Sequence, residues 1–428
     1  MKILEISALP VWSMGGKGGM PSLRETLAGH LREGHHIKLI LPQYDLFSDV
    51  ISPLTVRQDQ GYSVSVAPCR WLPLIKRLRK HVRSSTGGNS ISYPVRWILN
   101  LLMLLFLTFS LYREAIRIRR KGFEPDLIYA HNQYAALAGS LLRLVWRIPN
   151  VTRLYGTFLA DLMNKPFVTI RYPTAAAGYL VPSSLLICAN DGTRGDEVAR
   201  KFKISENRFR FWQNGVNPPT DSAEGNRADL AEYFGAVLRI DSKWIVSCSR
   251  LTYWKRIDRM IKAMRVCKKE NINCQLLVAG EGPESQSLKK LSEELGVTEY
   301  VVWLGALAHE DIWSLMKASD IFIITNDVTN RCNPLYEAAW AGLPVVSVFD
   351  PSTEDLLEDR KNALLVDKED TVSLGERIVE LCNDSNLADK LKTAQKRLSE
   401  SFWTWEERMN VEVKELEILV PESNDKPS

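Results

Sequence analysis

Two cations and one carboxylate stand out for where their neighbours place them. Arg250 and Lys255 lie in SRLTYWKRIDRMIKAM (249–264), between the apolar run 244–248 and an amphipathic stretch. Two fixed cations in a strand-to-helix connection can neutralise a diphosphate leaving group without a metal ion. Glu337 stands in TNRCNPLYEAAWAGLPVVS (329–347), near the start of an apolar helix that stops at Gly342, with Pro344 opening a buried strand. Gly after the last turn and Pro just beyond it are helix-to-strand punctuation. A carboxylate there accepts hydrogen bonds, and the first amides of the helix suit an anion. A third segment, GGKGGMPS (15–22), precedes a helix, and its glycines let backbone approach a phosphate. It lacks both the dinucleotide-binding spacing and the Lys-Ser/Thr of a P-loop.

The elements that must hold these groups alternate along the chain. Residues 2–6, 37–41, 127–130, 151–154 and 185–189 read as strands of a first half, with a helix over 21–33 closed by Gly34. Residues 244–248, 275–279, 301–303, 321–324 and 345–348 repeat the rhythm. Apolar strands alternating with helices predict parallel sheets covered on both faces. The 428 residues suit two domains, with a Pro-, Ser- and Gly-rich linker at 217–229 between them. The fold class is therefore α/β, with two Rossmann-like domains facing each other across a cleft. Residues 402–420 predict a terminal helix, and 421–428 a disordered tail.

Composition is that of a soluble protein, 45% apolar and 25% charged. Cysteines 69, 188, 248, 267, 274, 332 and 382 form no CxxC pair or His/Cys cluster, which predicts reduced thiols, no metal site and a cytoplasmic protein. Residues 1–240 hold 31 Lys+Arg against 18 Asp+Glu, a charge of +13; residues 241–428 hold 24 against 33, or −9. The first half is thus suited to an anionic partner, and an anionic lipid surface fits better than nucleic acid. Residues 97–112, WILNLLMLLFLTFSLY, are nearly all apolar; a 16-residue helix spans about 24 Å, short of a ~30 Å hydrocarbon core. Arg70, Trp71, Lys76, Arg77, Arg79, Lys80, His81 and Arg83 precede it, and Arg113, Arg117, Arg119, Arg120 and Lys121 follow. That pattern fits shallow insertion at an anionic leaflet, or a core helix with solvated ends.

Taken together, these motifs resemble the retaining GT-B glycosyltransferases of family 4 (glycosyl transferases group 1), from about residue 2 to residue 415. Residues 250–255 match the family's R-L-x-x-x-K diphosphate motif, and GEGPE (280–284) its G-x-G-P loop. The resemblance implies that Gly18 and Gly19 close over the donor diphosphate and that Glu337 binds the donor ribose. It places Glu281 beside the cleft, Leu307 at the nucleobase, Asn333 and Leu335 at the donor, and Asn214 in the Asn-Gly turn closing the first domain. The family's first glutamate falls at Thr329; Asp327 is its nearest substitute, with Asn330 and the Asn333 backbone as alternatives. His131, ending the strand before RLYGTFLAD, is the candidate near the reacting centre, and Asp161 the candidate for an acceptor hydroxyl. His30, His35, His36 and His309 read as solvated.

The resemblance implies an acceptor domain over 1–220 with a basic/apolar insertion at about 70–121. A nucleotide-sugar domain follows over 230–400, then a helix over 401–420 crossing back to the first domain. The implied activity is metal-independent retaining transfer of a hexose from a nucleoside-diphosphate sugar, without cofactor. The acceptor is lipid-linked or a saccharide, in cell-surface polysaccharide or glycolipid assembly, and the enzyme is peripheral on the inner face of the membrane. A nucleotide-sugar epimerase of the same fold and an inactive membrane scaffold are the alternatives.

Overall fold

The computed structural model describes residues 1–9, 11, 20–46, 61–85, 92–217, 226–235 and 237–420, without the side chains of 80–85, 92 and 93. The chain divides into two compact units, Met1–Asn214 with Trp405–Ser428, and Gly215–Thr404. Most of the expected linker and all of residues 421–428 fall outside the described residues.

The first unit holds β1 (Lys2–Ser7), α1 (Pro21–Arg32), β2 (His36–Pro42), β3 (Ser63–Ala67), α2 (Leu72–Ser85), α3 (Ser92–Arg120), β4 (Leu127–His131) and α4 (Asn132–Trp146). It continues through β5 (Asn150–Leu154), α5 (Val168–Arg171), α6 (Pro173–Leu180), β6 (Leu185–Ala189), α7 (Gly195–Lys201) and β7 (Phe209–Trp212). Its seven strands pair in the order β3-β2-β1-β4-β5-β6-β7, all parallel. Every residue of β4, β5 and β6 is buried, as a sheet covered on both faces requires. Strands β3 and β7 are absent from the sequence expectation. They are edge strands in which Ser or Arg interrupts the apolar residues (SVSVA, FRFW), so neither forms the unbroken apolar run of the central strands.

The apolar run is part of a longer helix than expected: α3 has 29 residues. Leu99, Met103, Leu104, Leu107, Leu111, Ala115 and Ile118 point into the first unit's core. The opposite stripe, Ile98, Leu105, Phe106 and Phe109, stays exposed and runs into the exposed Arg113 and Arg117. Helix α3 is therefore both a core helix and an outward apolar face.

The second unit contains α8 (Arg227–Phe234), β8 (Lys243–Cys248), α9 (Ile257–Lys269), β9 (Cys274–Ala279), α10 (Ser285–Glu294), β10 (Val301–Gly305) and α11 (His309–Ala318). After these come β11 (Ile321–Ile324), α12 (Asn333–Trp340), β12 (Val345–Val348), β13 (Ala363–Val366), α13 (Thr371–Asn383) and α14 (Ser385–Ser399). Its strands pair in the order β10-β9-β8-β11-β12-β13, again all parallel. Strand β13 is also absent from the sequence expectation; only four residues long, it sits between a turn and a helix. Gly342 closes α12 at φ +69°, the left-handed position that favours glycine.

The last helix, α15 (Trp405–Leu419), belongs to the first unit. It lies so close to α1 that a Cβ on Gly29 would sit 2.4 Å from Met409 Cγ. Beneath that contact is a buried charge network, which corrects the reading of His30 and His35 as solvated: both are buried. Arg153 and Arg408 each bind Glu412 Oε2, at 2.9 and 2.8 Å, and Tyr129 donates to Oε1. His30 Nδ1 meets Glu5 at 2.7 Å, and its other nitrogen faces Glu412 at 3.7 Å. Burial alone would lower the His30 pKa, but the Glu5 and Glu412 carboxylates raise it to about 9. Burial would likewise raise Glu5, yet the His30 and His131 imidazoles hold it at about 2. Glu412, despite burial, is kept well below the usual carboxylate range by Arg153 and Arg408.

Since the folded-state pKa of His30 lies above its ordinary value of 6.5, its stabilisation is complete below pH 6.5 and disappears as pH rises through 9. Thermal unfolding followed between pH 6 and 10 should show that loss, and His30→Gln should flatten it. Glu412→Ala strands two buried guanidiniums and should destabilise the first unit by about 3–5 kcal/mol in denaturant titrations.

Candidate functional site

A parallel sheet puts every strand's C-terminal end on one edge. Where the strand order reverses, the two flanking loops part and leave a crevice. In the second unit the reversal falls between β8 and β11. The loop after β8 carries Arg250 and Lys255; the loop after β11 runs from Thr325 into α12, which carries Glu337. Sequence-distant candidates are thereby gathered at one place within one unit.

Backbone contacts fix the β8 loop. The Leu251 N–H donates to Glu281 O at 3.0 Å, and the Glu284 N–H donates back to Leu251 O at 3.1 Å. Gly282 has to be glycine, because a Cβ there would lie 2.1 Å from Leu251 O, and one on Gly280 would lie 1.9 Å from Ser249 O. The G-x-G segment therefore serves as the bed on which the cationic loop rests. The Glu281 side chain stays exposed. On the other side, the Asp327 N–H donates to Trp254 O at 2.9 Å, and Thr325 Oγ1 to Arg256 O at 3.0 Å. Arg256 holds a left-handed conformation, φ +50°. Arg250 is exposed and Lys255 half-buried. Among the described residues, neither side chain makes an ion pair.

Asp327 corrects an expectation. Its carboxylate is bound by Arg256 at 3.2 Å and by the buried Arg259 at 2.8 Å, so it is committed to two guanidiniums and is a poor stand-in for a ribose-binding acid. Asn330 is likewise committed: fully buried, it donates from its backbone and from Nδ2 to Asp350, at 2.6 and 3.0 Å. Thr329 replaces the missing acid with a structural link, its hydroxyl meeting Ser352 Oγ at 3.0 Å while Ser352 binds Asp350 at 2.6 Å. Asp350 is thus the loop's buried anchor, and the sequence reading missed it.

Helix α12 begins at Asn333, which is half-buried. Leu335 is fully buried in the apolar core, so its side chain is structural. Glu337 is the fifth residue of the helix, in the second turn rather than at the start, and its side chain is only 9% exposed. His309, read as solvated, is part-exposed, and its Nε2 also lies 2.9 Å from Glu337 Oε1, a partner the sequence reading missed. Burial, with the carboxylate of Glu337 and the thiol of Cys332 adding to it, pushes the Cys248 thiol well above its usual range. Glu337 therefore stands close to the end of β8. Leu307 is half-buried against the core in the loop leading to His309.

In the first unit the strand order reverses between β1 and β4. Gly18 and Gly19, in the loop after β1, lie outside the described residues. His131 ends β4, but its ring is fully buried between Glu5 and Tyr155, whose hydroxyl is 2.7 Å from Nδ1. Burial, only partly offset by Glu5, lowers its pKa. The expectation of an open reacting-centre histidine is corrected to a buried hydrogen-bonding one. Asn214 accepts from Arg153 at 3.4 Å, next to the same network. Asp161 is exposed and paired with Arg194, apart from His131's buried cluster.

Two parallel α/β sheets of seven and six strands, with loops gathered at each reversal, define the GT-B fold. A solved structure from Anabaena, HepE in complex with UDP, has the same fold, with a TM-score of 0.66 at 19% identity, covering 97% of this chain and 99% of that one. Residues 234–398 match the family model described as glycosyl transferases group 1, and the second unit carries a glycosyltransferase domain of that family. The α-monoglucosyldiacylglycerol synthase of Streptococcus pneumoniae is 28% identical over 259 residues, 58% of this chain and 57% of that protein. One component of the human phosphatidylinositol N-acetylglucosaminyltransferase is 27% identical over 348 residues, 75% of this chain and 67% of that protein.

Gly282→Ala tests the bed under the cationic loop. Forcing the two backbones apart should cost about 1–3 kcal/mol in chemical unfolding, whereas Glu281→Ala, altering an exposed side chain, should leave stability unchanged.

Proposed function

We propose that the protein is a metal-independent, retaining glycosyltransferase that moves a hexose from a nucleoside-diphosphate sugar to a lipid-linked or saccharide acceptor. The observation that carries this reading is the pair Arg250 and Lys255, without carboxylate partners among the described residues, at the reversal that also holds Glu337. Most nearby arginines are neutralised: Arg256 and Arg259 by Asp327, Arg331 by Asp355. Two cations left over in such a crevice suit the diphosphate, whose charge grows as the glycosidic bond breaks. In the retaining course implied by the family, the leaving phosphate draws the acceptor proton on the face it departs from, and the enzyme supplies charge and positioning. The UDP in the HepE structure and the glucosyl and N-acetylglucosaminyl names of the relatives support a nucleotide-sugar donor and a hexose.

The lipid-linked acceptor is supported by α3. Its outer stripe of Ile98, Leu105, Phe106 and Phe109 leads into Arg113 and Arg117, an apolar face ending in cations, which is how a helix binds an anionic leaflet without crossing it. The relatives' names carry a diacylglycerol and a phosphatidylinositol. On this reading the enzyme is peripheral, working at the cytoplasmic face of a membrane.

A panel of UDP-, GDP- and ADP-sugars should include one that raises Tm and is turned over in the presence of EDTA. If none binds, the transferase and epimerase readings both fail and an inactive scaffold remains. With that donor, Lys255→Ala should lower kcat by about 10²–10³-fold with unchanged Tm. Wild type should float with phosphatidylglycerol-containing vesicles and not with phosphatidylcholine alone, and Leu105→Ser with Phe109→Ser should abolish flotation.

A further inference from the structure

We infer that His309 is a positioning residue that presets the Glu337 carboxylate for a vicinal diol, and so sets the preference for a ribonucleotide over a deoxyribonucleotide donor. This rests on the donor-site reading above and adds a residue to it.

Glu337 is nearly buried on α12, and one of its two oxygens has a side-chain partner, the His309 imidazole at 2.9 Å. No other hydrogen bond to this carboxylate is seen among the described residues. A carboxylate offers about four acceptor positions, so His309 occupies one and leaves the second oxygen for a ligand hydroxyl. The imidazole is itself braced. It is the first residue of α11 and stands edge-on to Trp313, with centroids 6.2 Å apart. Trp313 packs in a small apolar cluster with Tyr336, the neighbour of Glu337. The ring is thus held from behind by the helix it opens, and the carboxylate it holds is beside that same cluster. A glutamate with three rotatable bonds would otherwise sample several rotamers, and holding it in one removes that cost from ligand binding.

His309 is also 39% exposed, so it stands at the mouth rather than inside the core. Its Nε2 is the ring nitrogen that faces Glu337. The connection from Gly305 to His309 carries Leu307 two residues earlier. A single short loop therefore supplies both an apolar contact and the group that aims the acid.

The experiment compares UDP with 2′,3′-dideoxy-UDP, and GDP with its dideoxy counterpart in parallel, by isothermal titration calorimetry on wild type, His309→Ala, His309→Gln and Glu337→Gln. For wild type, the diphosphate carrying the diol should bind at least about tenfold more tightly than its dideoxy analogue, the size expected for hydrogen bonds to a charged group. His309→Ala should shrink that ratio to within about threefold while leaving affinity for the dideoxy analogue unchanged. His309→Gln, which keeps a donor, should restore most of it, and Glu337→Gln should lose it as Ala does. A full diol preference in His309→Ala overturns the inference and leaves the donor-site reading standing. If wild type binds neither diphosphate, or binds without diol preference, both are overturned. Equal Tm in the two His309 variants, expected because that ring is part-exposed, separates loss of positioning from loss of fold.

Discussion

Parallel pairing is the constraint on which the rest depends. With all six strands of the second unit running one way, every strand-to-helix loop leaves the same edge. Reversal of the strand order between β8 and β11 then sets two of those loops side by side, tied by Asp327 N–H to Trp254 O and by Thr325 Oγ1 to Arg256 O. Arg250 and Glu337 are 87 positions apart in sequence, and no local propensity brings them together. The reversal does so without any interaction between the two side chains. The crevice follows from topology, and the side chains determine only what it holds.

Within that frame, much of the polar chemistry goes into holding loops rather than into leaving groups free. Asp350, Asn330, Ser352 and Thr329 form a closed hydrogen-bonded set, so the segment preceding α12 is fixed before any ligand arrives. Arg256 and Arg259 consume Asp327 in the same way. Gly280 and Gly282 contribute by lacking side chains, since each brings one backbone against another at a distance a methyl group would forbid. The consequence is a rigid platform from which Arg250 and Lys255 extend. Preorganised charge of that kind needs little rearrangement when new charge develops beside it.

How much of this was legible in the sequence depended on range. The long strands declared themselves through short apolar runs, and Gly342 with Pro344 marked the end of α12 correctly. The motif around Arg250 and Lys255 was readable because its spacing is local. The edge strands β3 and β7 were not, because Ser and Arg break their apolar runs, and neither was the four-residue β13. Partnerships across the sheet were invisible as well. His309 looked like any histidine opening a helix, and Asp327 like any exposed acid, because the groups that bind them lie 28 and 71 residues away. His30 was misread for the same reason: Glu5 and Glu412, which hold it charged, come from opposite ends of the chain. Helix α3 satisfied both expectations offered for it, since a helix has two faces and composition alone does not say which is covered.

The closing helix has a consequence for how the molecule comes into being. The first unit's interior places Glu5, His30, Tyr129 and Arg153 around a carboxylate at position 412, with Arg408 beside it. A ribosome makes the chain from the amino end, so the whole of Gly215–Thr404 emerges before that carboxylate exists. For that interval Arg153 and Tyr129 lack the carboxylate they share in the folded unit, His30 has only Glu5, and the face of α1 at Gly29 has no Met409 against it. The segment made first is thus finished last, and the younger unit, continuous in sequence, can complete its own sheet in the meantime. The fifteen-residue helix made after the second unit thus supplies the carboxylate around which the unit made before it is arranged.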